Sequence, residues 1–425
     1  MAGALGFFAQ ALGAQNGLGL PPQGDSGVKE RFLTDRFPEK PSLAPAWSIP
    51  LDPLGFAAPG AIYLGERNAM VSLDFLDEDR LLFTFRVPGL IHRDPKSGQT
   101  SDERRIRAVV LKLPEGTIEA EALWTVHDRV RYLWPLKNGH FLVRDRNHLL
   151  EGDASLQLKP YLDFPGPLLW LELDPTEQFM VTNSHEPGSV QRTNQAGSSK
   201  AMATDESADS EPAGGSALVV RVLRRDSGEV MLVSRARTAV HLPINSAGYL
   251  ENLRGRGTDW MLNLNYFSGG SRLLGNVETA CDPDDNFLSE NEILIVGCDT
   301  EGASKLVAMT AEGRTLWITQ SPDNEVWPQM AVAPNGLRVA WTTLDTNRSV
   351  NTLTPMDSDE VKEQSVTVFD AATGDVALVS PLKPILDAGG NVGISPSGRR
   401  VALLNAGAIQ VFELPAPPAV PGTTP

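Results

Sequence analysis

The chain has 425 residues, of which 41% are hydrophobic and 38 are Gly and 32 Pro, and it carries a formal net charge of −16. That acidity, with an isoelectric point near 4.9, argues against a phosphate backbone or an anionic membrane as the main partner. No run of about 18 apolar residues occurs, so the sequence contains no helical membrane span.

The opening stretch, MAGALGFFAQALGAQNG, is short, apolar and uncharged, and ends in small residues around Ala11 and Ala14. It resembles the second half of a secretory signal without a positively charged start, since the first basic residue is Lys29. Residues 18–43 follow as a Pro- and charge-rich stretch, so 1–43 reads as a signal-like segment and flexible leader. The expected location is therefore periplasmic or extracellular, and otherwise cytoplasmic.

From Ser72 onward the chain repeats an apolar–turn–apolar phrase. It reads SLDFLDEDRLLFTF from Ser72, YLWPLKNGHFLV from Tyr132, LWLELDPTEQFMV from Leu169 and LENLRGRGTDWMLNL from Leu250. It continues as DNFLSENEILIVG from Asp285, MAVAPNGLRVAWTT from Met330 and GISPSGRRVALLN from Gly393. A second phrase, strand–turn ending in Gly–strand, follows several of these, as in VVLKLPEGTIEA, VVRVLRRDSGEVML, LVAMTAEGRTLW and VTVFDAATGDVAL. The segments alternate and are rich in Val, Leu and aromatics, as half-buried antiparallel strands should be. The turn Gly supplies the positive φ that a tight hairpin needs. Each unit is thus two hairpins, and seven four-stranded units at roughly 50-residue spacing predict an all-β, seven-bladed β-propeller of antiparallel blades.

The propeller is expected over residues 44–415, with a Pro-rich tail at 416–425. After GISPSGRRVALLN only one more strand, AIQVFEL from Ala408, is available. The earlier stretch AWSIPLDPL, Ala46 to Leu54, is expected to complete the last blade, with Pro50 suiting an edge strand. One interval is too long: Ser184 to Ala217 is rich in Ser, Gly, Ala and acidic residues with almost no large apolar side chain. It reads as a disordered insertion.

SPSGRRVAL and APNGLRVAW resemble the hairpin of WD40-like repeats in bacterial propellers of the TolB and YVTN types, and the likeness of repeat pattern runs from about Ala61 to Leu414. The Gly-His and Trp-Asp pairs of eukaryotic WD40 blades are absent. The resemblance implies the looser bacterial class, whose members bind proteins, peptides, sugars or cofactors and occasionally catalyse.

Cys281 and Cys298 flank the hairpin TACDPDDNFLSENEILIVGC, and a turn at Ser289-Glu290 would set them opposite each other across two strands. A disulfide is expected there, worth about 3 kcal/mol on the chain-entropy account and in keeping with export. Of six His, none shows metal-binding spacing, although His127 and His241 fall where blades change over. The string Asp282, Asp284, Asp285 lacks a calcium-loop pattern and reads as a solvated turn. The Arg254–Gly257 stretch reads as hairpin punctuation. The Trp residues are expected to pack between blades, except Trp327, which precedes a Pro in a blade connection and is the candidate for an exposed ligand contact. No nucleophile–base motif appears, so catalytic residues are not assigned, and no metal or cofactor is expected. The sequence thus points to a non-catalytic binding or scaffold module that holds a protein, peptide or carbohydrate on one ring face. The alternatives are a structural assembly component or a lactonase-like propeller hydrolase using a metal in the central channel.

Overall fold

The computed structural model describes residues 29–32, 43–57, 70–87, 92–93, 102–127, 131–187, 216–322, 324–326, 329–348, 360–386 and 389–416. The signal-like segment, most of the leader and tail, the span 188–215 and Trp327 lie outside the described residues. What is described is a seven-bladed β-propeller, blades numbered in chain order from Ser72.

The expected inner hairpins fall where the repeated phrase placed them in six blades. The innermost strands are Ser72–Phe75, Leu133–Pro135, Leu168–Leu173, Asp284–Ser289, Met330–Val332 and Val392–Ile394, in blades 1, 2, 3, 5, 6 and 7. Each pairs antiparallel with the strand that follows its turn. Blade 4 departs from the reading. Its innermost position is taken by the connection after Ala236, reduced to a bridge between Ile244 and Tyr249, with Leu250 N donating to Pro243 O. Its inner turn is therefore Asn245–Ala247. The Arg254–Gly257 turn joins the next two strands, Gly248–Arg254 and Asp259–Tyr266. Pro243 and the lack of two-residue alternation in the 237–247 connection hid this strand from a periodicity argument.

Blades stack because each sheet is apolar on both faces. Among the described residues the buried apolar side chains sort into seven clusters, and each lies between two neighbouring blades. Leu288, Leu294, Val296 and Trp317 of blade 5 pack on Val339, Trp341 and Phe369 of blade 6. Between blades 3 and 4, Phe179, Val181, Val220 and Val222 meet Ile244, with Tyr249 and Phe267 at the edge. Burial of this kind contributes about 25 cal/mol per Å² of apolar surface, so the core is spread round the ring.

The ring closes as expected. Trp47–Pro50 runs antiparallel to Ala408–Glu413 as the outer strand of blade 7, Ile49 opposite Ile409. Ile49 is 6% exposed in the cluster that joins blades 7 and 1. Another part of the presumed leader is also a strand: Lys29–Phe32 pairs parallel with Thr315–Gln320 outside blade 5. The ends of the expected insertion are likewise strand, since Phe179–Pro187 and Ser216–Arg224 form one antiparallel pair.

The two matching phrases fold alike. In blade 6, Ala333 N donates to Arg338 O and Gly336 N to Ala333 O; in blade 7, Ser395 N donates to Arg400 O and Gly398 N to Ser395 O. Both Gly take positive φ, 76° and 69°. The basic residue after each turn reaches the next blade: Arg338 Nη2 donates to Pro415 O and Arg400 Nη1 to Glu78 O, both at 2.6 Å.

Closure by Trp47–Pro50 yields a paired prediction. Ile49→Asp should destabilise by on the order of 3 kcal/mol in urea unfolding, because it places an unpaired charge in a closed interface. Ser48→Asp, on the exposed side of the same strand, should change stability by less than about 0.5 kcal/mol. Equal losses would show that the strand does not close the ring.

Candidate functional site

A cavity of about 790 Å³ opens on the channel wall formed by blades 2 to 6. Its lining comes from innermost strands and the connections that lead into them: Arg131 and Trp134, Trp170 and Glu172, the 239–244 stretch, Asp284 to Phe287 without the inward-buried Asp285, and Gln329 with Met330.

His241 organises the wall. Its Nδ1 contacts a Glu172 carboxylate oxygen from blade 3, while Nε2 lies 3.0 Å from Asp284 Oδ1 and 2.6 Å from the Asp285 carbonyl oxygen on blade 5. Both ring nitrogens therefore donate, which requires the imidazolium. Burial by itself would pull the His241 pKa down, but hydrogen bonds to Asp284 and Glu172, with their charges, push it up to about 11. The side chain stays 33% exposed, since the wall around it is concave and open to the channel. Its charge stabilises the fold fully below the ordinary His value of 6.5, and that contribution falls progressively as pH rises from there through about 11.

Glu172 also accepts from Trp170 Nε1 at 2.6 Å, which sets the indole against the cavity wall. Arg131 lies over the Trp134 ring, Cζ 5.4 Å from its centroid, and donates Nε to Leu133 O at 3.1 Å. Burial lowers its pKa, opposed by the charges of Asp74 and Glu172, and an Arg at this position remains charged. Asp285 is different. It is 1% exposed, and neither carboxylate oxygen has a hydrogen-bond partner of normal geometry. Burial pushes its pKa up to about 6, against the neighbouring Asn252 amide and the His241 charge.

The sequence reading reached part of this set. The sequence places His241 at a blade change-over and reads Asp284 and Asp285 as a solvated turn. They are instead the start of an innermost strand. Glu172 was missed because LELDP looks like any strand leading into a turn; the signal was a lone Glu among apolar residues on an inner strand. Trp327 lies outside the described residues, although Gln329 lines the cavity. The other described His side chains serve elsewhere: His127 Nδ1 meets Asp145 at 3.0 Å and His148 meets Asp163 at 2.7 Å. Among the described residues no three His, Cys, Asp or Glu side chains form a metal-holding group.

Cys281 and Cys298 sit at disulfide distance, with Cα atoms 5.6 Å apart. The hairpin register is one residue off the expected one, Asp285 opposite Ile295 and Phe287 opposite Ile293. Cys281 consequently lies in the connection before Asp284, not on the strand. It joins the end of blade 4 to Cys298 of blade 5, where Thr279 Oγ1 accepts from Cys298 N at 2.8 Å.

No protein-family model matches the chain, and no curated protein matches it in sequence. Among solved structures, it is similar in fold to the uncomplexed acylaminoacyl peptidase of Pyrococcus horikoshii, with 11% identity and TM-score 0.47, over 81% of this chain and 51% of that one. The chain thus spans about half the length of that peptidase. It is also similar to the β-propeller domain of the Trilobed protease from Pyrococcus furiosus, at 10% identity and TM-score 0.44, covering 81% and 94% of the two chains. TolB from Acinetobacter baumannii matches at 12% identity and TM-score 0.37, over 76% and 78%. These likenesses concern the course of the chain, and no activity follows from them.

Asp285 supplies a pH prediction. With its native pKa above its ordinary value of 3.8, the folded state holds the proton more tightly than the unfolded chain. Stability from this group is therefore present at low pH and falls as pH rises through about 4 to 6, by at most about 1.4 kcal/mol per unit. Asp285→Asn should gain on the native protein across that window and hold its advantage above it, read by urea unfolding at several pH values. A pH-independent difference would contradict the assignment.

Proposed function

We propose that this protein is a non-catalytic binding module of an oxidising compartment, periplasmic or extracellular, which holds its ligand at the channel cavity. One observation carries the reading. The titratable groups best placed for acid–base work are bound to one another: His241 spends both nitrogens on Glu172, Asp284 and the Asp285 carbonyl. A general base needs a free lone pair at working pH, and this imidazolium has none. What remains open to the cavity is aromatic surface with a few unengaged polar atoms, which suits recognition. The cavity volume lies within the range typical of small-ligand sites, roughly 300–1,000 Å³. The cysteine pair supports the compartment, since such pairs persist where thiols are oxidised.

Incubating the protein with the low-mass fraction of a cell extract and measuring it by native mass spectrometry should reveal a one-to-one adduct. His241→Ala should lose that adduct while keeping its fold by circular dichroism. A stoichiometric channel metal together with metal-dependent turnover of lactone, ester or glycoside substrates would overturn the reading in favour of a hydrolase. Peptide mapping without reductant should recover Cys281 and Cys298 as one linked pair from exported protein, and two free thiols there would remove the compartment assignment.

A further inference from the structure

The cavity's unengaged polar atoms form a defined set. Among the described residues Arg131 gives only Nε to the protein, which leaves both terminal amino groups of its fork as donors at the cavity. Gln329 spends Oε1 on Gly390 N, which leaves its Nε2 as a donor. Asp284 gives one carboxylate oxygen to His241 and keeps the other as an acceptor. The Asn286 amide, half-buried on the same inner strand, offers a donor and an acceptor side by side. Between these groups stand two partly exposed rings, Trp170 and Phe287, the first held in place by its own bond to Glu172.

Charge decides what such a set receives. Among the described residues the lining carries two cations, Arg131 and His241, against two carboxylates, Glu172 and Asp284. A phosphate or polyanionic ligand would meet Glu172 and Asp284 and gain little, because the described lining offers no excess of the positive charge such ligands require. A strongly cationic ligand would meet Arg131 and His241⁺. A neutral group that both donates and accepts at many points fits all of these atoms at once. Hydroxyl groups on a sugar ring do this, and the apolar C–H face of the ring covers an indole as no hydrated ion can. The fork of Arg131 presents paired donors at a spacing suited to neighbouring hydroxyls.

We infer that the channel cavity is a saccharide site taking a short neutral oligosaccharide, with one sugar ring stacked on Trp170 and its hydroxyls held by Arg131, Asn286, Asp284 and Gln329. This rests on the binding-module reading and adds the ligand's chemical class. The test uses cellotriose, maltotriose, lactose and mannobiose as probes, each titrated into the full chain and followed by tryptophan fluorescence and calorimetry. At least one should bind one-to-one and perturb indole emission. Asn286→Ala and, separately, Trp170→Ala should each weaken it by about tenfold or more, equivalent to ~1.4 kcal/mol. Both side chains are partly exposed, so either variant that fails to fold leaves the other as the probe. If none of the sugars binds, the saccharide class is overturned. The extract adduct then shows whether the binding reading survives: an adduct retained by the native protein and lost in His241→Ala keeps it. A sugar that binds both variants as tightly as the native chain overturns the placement.

Discussion

Two-sided burial is the constraint from which this molecule follows. Each four-stranded unit is apolar on both faces, and a sheet with two apolar faces needs a neighbour on each side. A linear stack would leave its two end faces wet; a ring leaves none. That is why every apolar cluster lies at a joint between blades, and why the chain spends Trp47–Pro50, far from its last strand in sequence, on the outer edge of blade 7. Ile49 there packs with Leu404 and Ile409 of its own blade and with Phe83 and Leu111 of blade 1.

A second set of contacts regulates how the blades meet, and it uses the residues that make the repeated phrase recognisable. Acidic residues in three inner turns accept a backbone N–H from the preceding blade: Glu78 from Ser397, Glu177 from Lys137 and Glu290 from Ser246. Arg338 and Arg400 extend in the same direction round the ring. These bonds satisfy turn groups that a lone hairpin would give to water, and they fix the rotation of one blade on the next. A channel wall assembled from five different blades keeps its geometry only if that rotation is fixed. The position of Ser246 in this series also identifies Asn245–Ala247 as the inner turn of blade 4, where strand pairing is reduced to a single bridge.

The channel site sits where the regular pattern gives way. Blade 4 replaces a regular inner strand with the 237–247 connection, which brings His241 to the channel between Glu172 and Asp284. Asp285 is held behind it, buried without a normal hydrogen bond, at a cost to stability that an apolar residue would not bring. Departures from local rules that persist in a folded chain tend to mark sites of function, and here the departure and the cavity coincide.

Local chemistry determined the propeller. Two-residue periodicity, turn residues such as Asn335-Gly336 and Ser397-Gly398, and the missing last strand are all written within a few residues of one another, so strand identity, hairpin order, blade number and the means of closure were legible. The closeness of Cys281 and Cys298 was legible too, although the hairpin register shifted by one because the turn falls at Glu290-Asn291 with a bulge between Phe287 and Ser289. What only the tertiary structure decided is the site. Glu172, His241 and Asp284 come from three separate stretches of chain, and nothing about a lone Glu in a strand, a His in a loop or an Asp beside another Asp records that they will touch. Their meeting depends on how far each blade turns about the channel axis, and that angle is set by packing summed round the whole ring. The inner strand of blade 4 was lost to sequence for a related reason: its residues lie in place because of their neighbours' hydrogen bonds, not because of a strand pattern of their own.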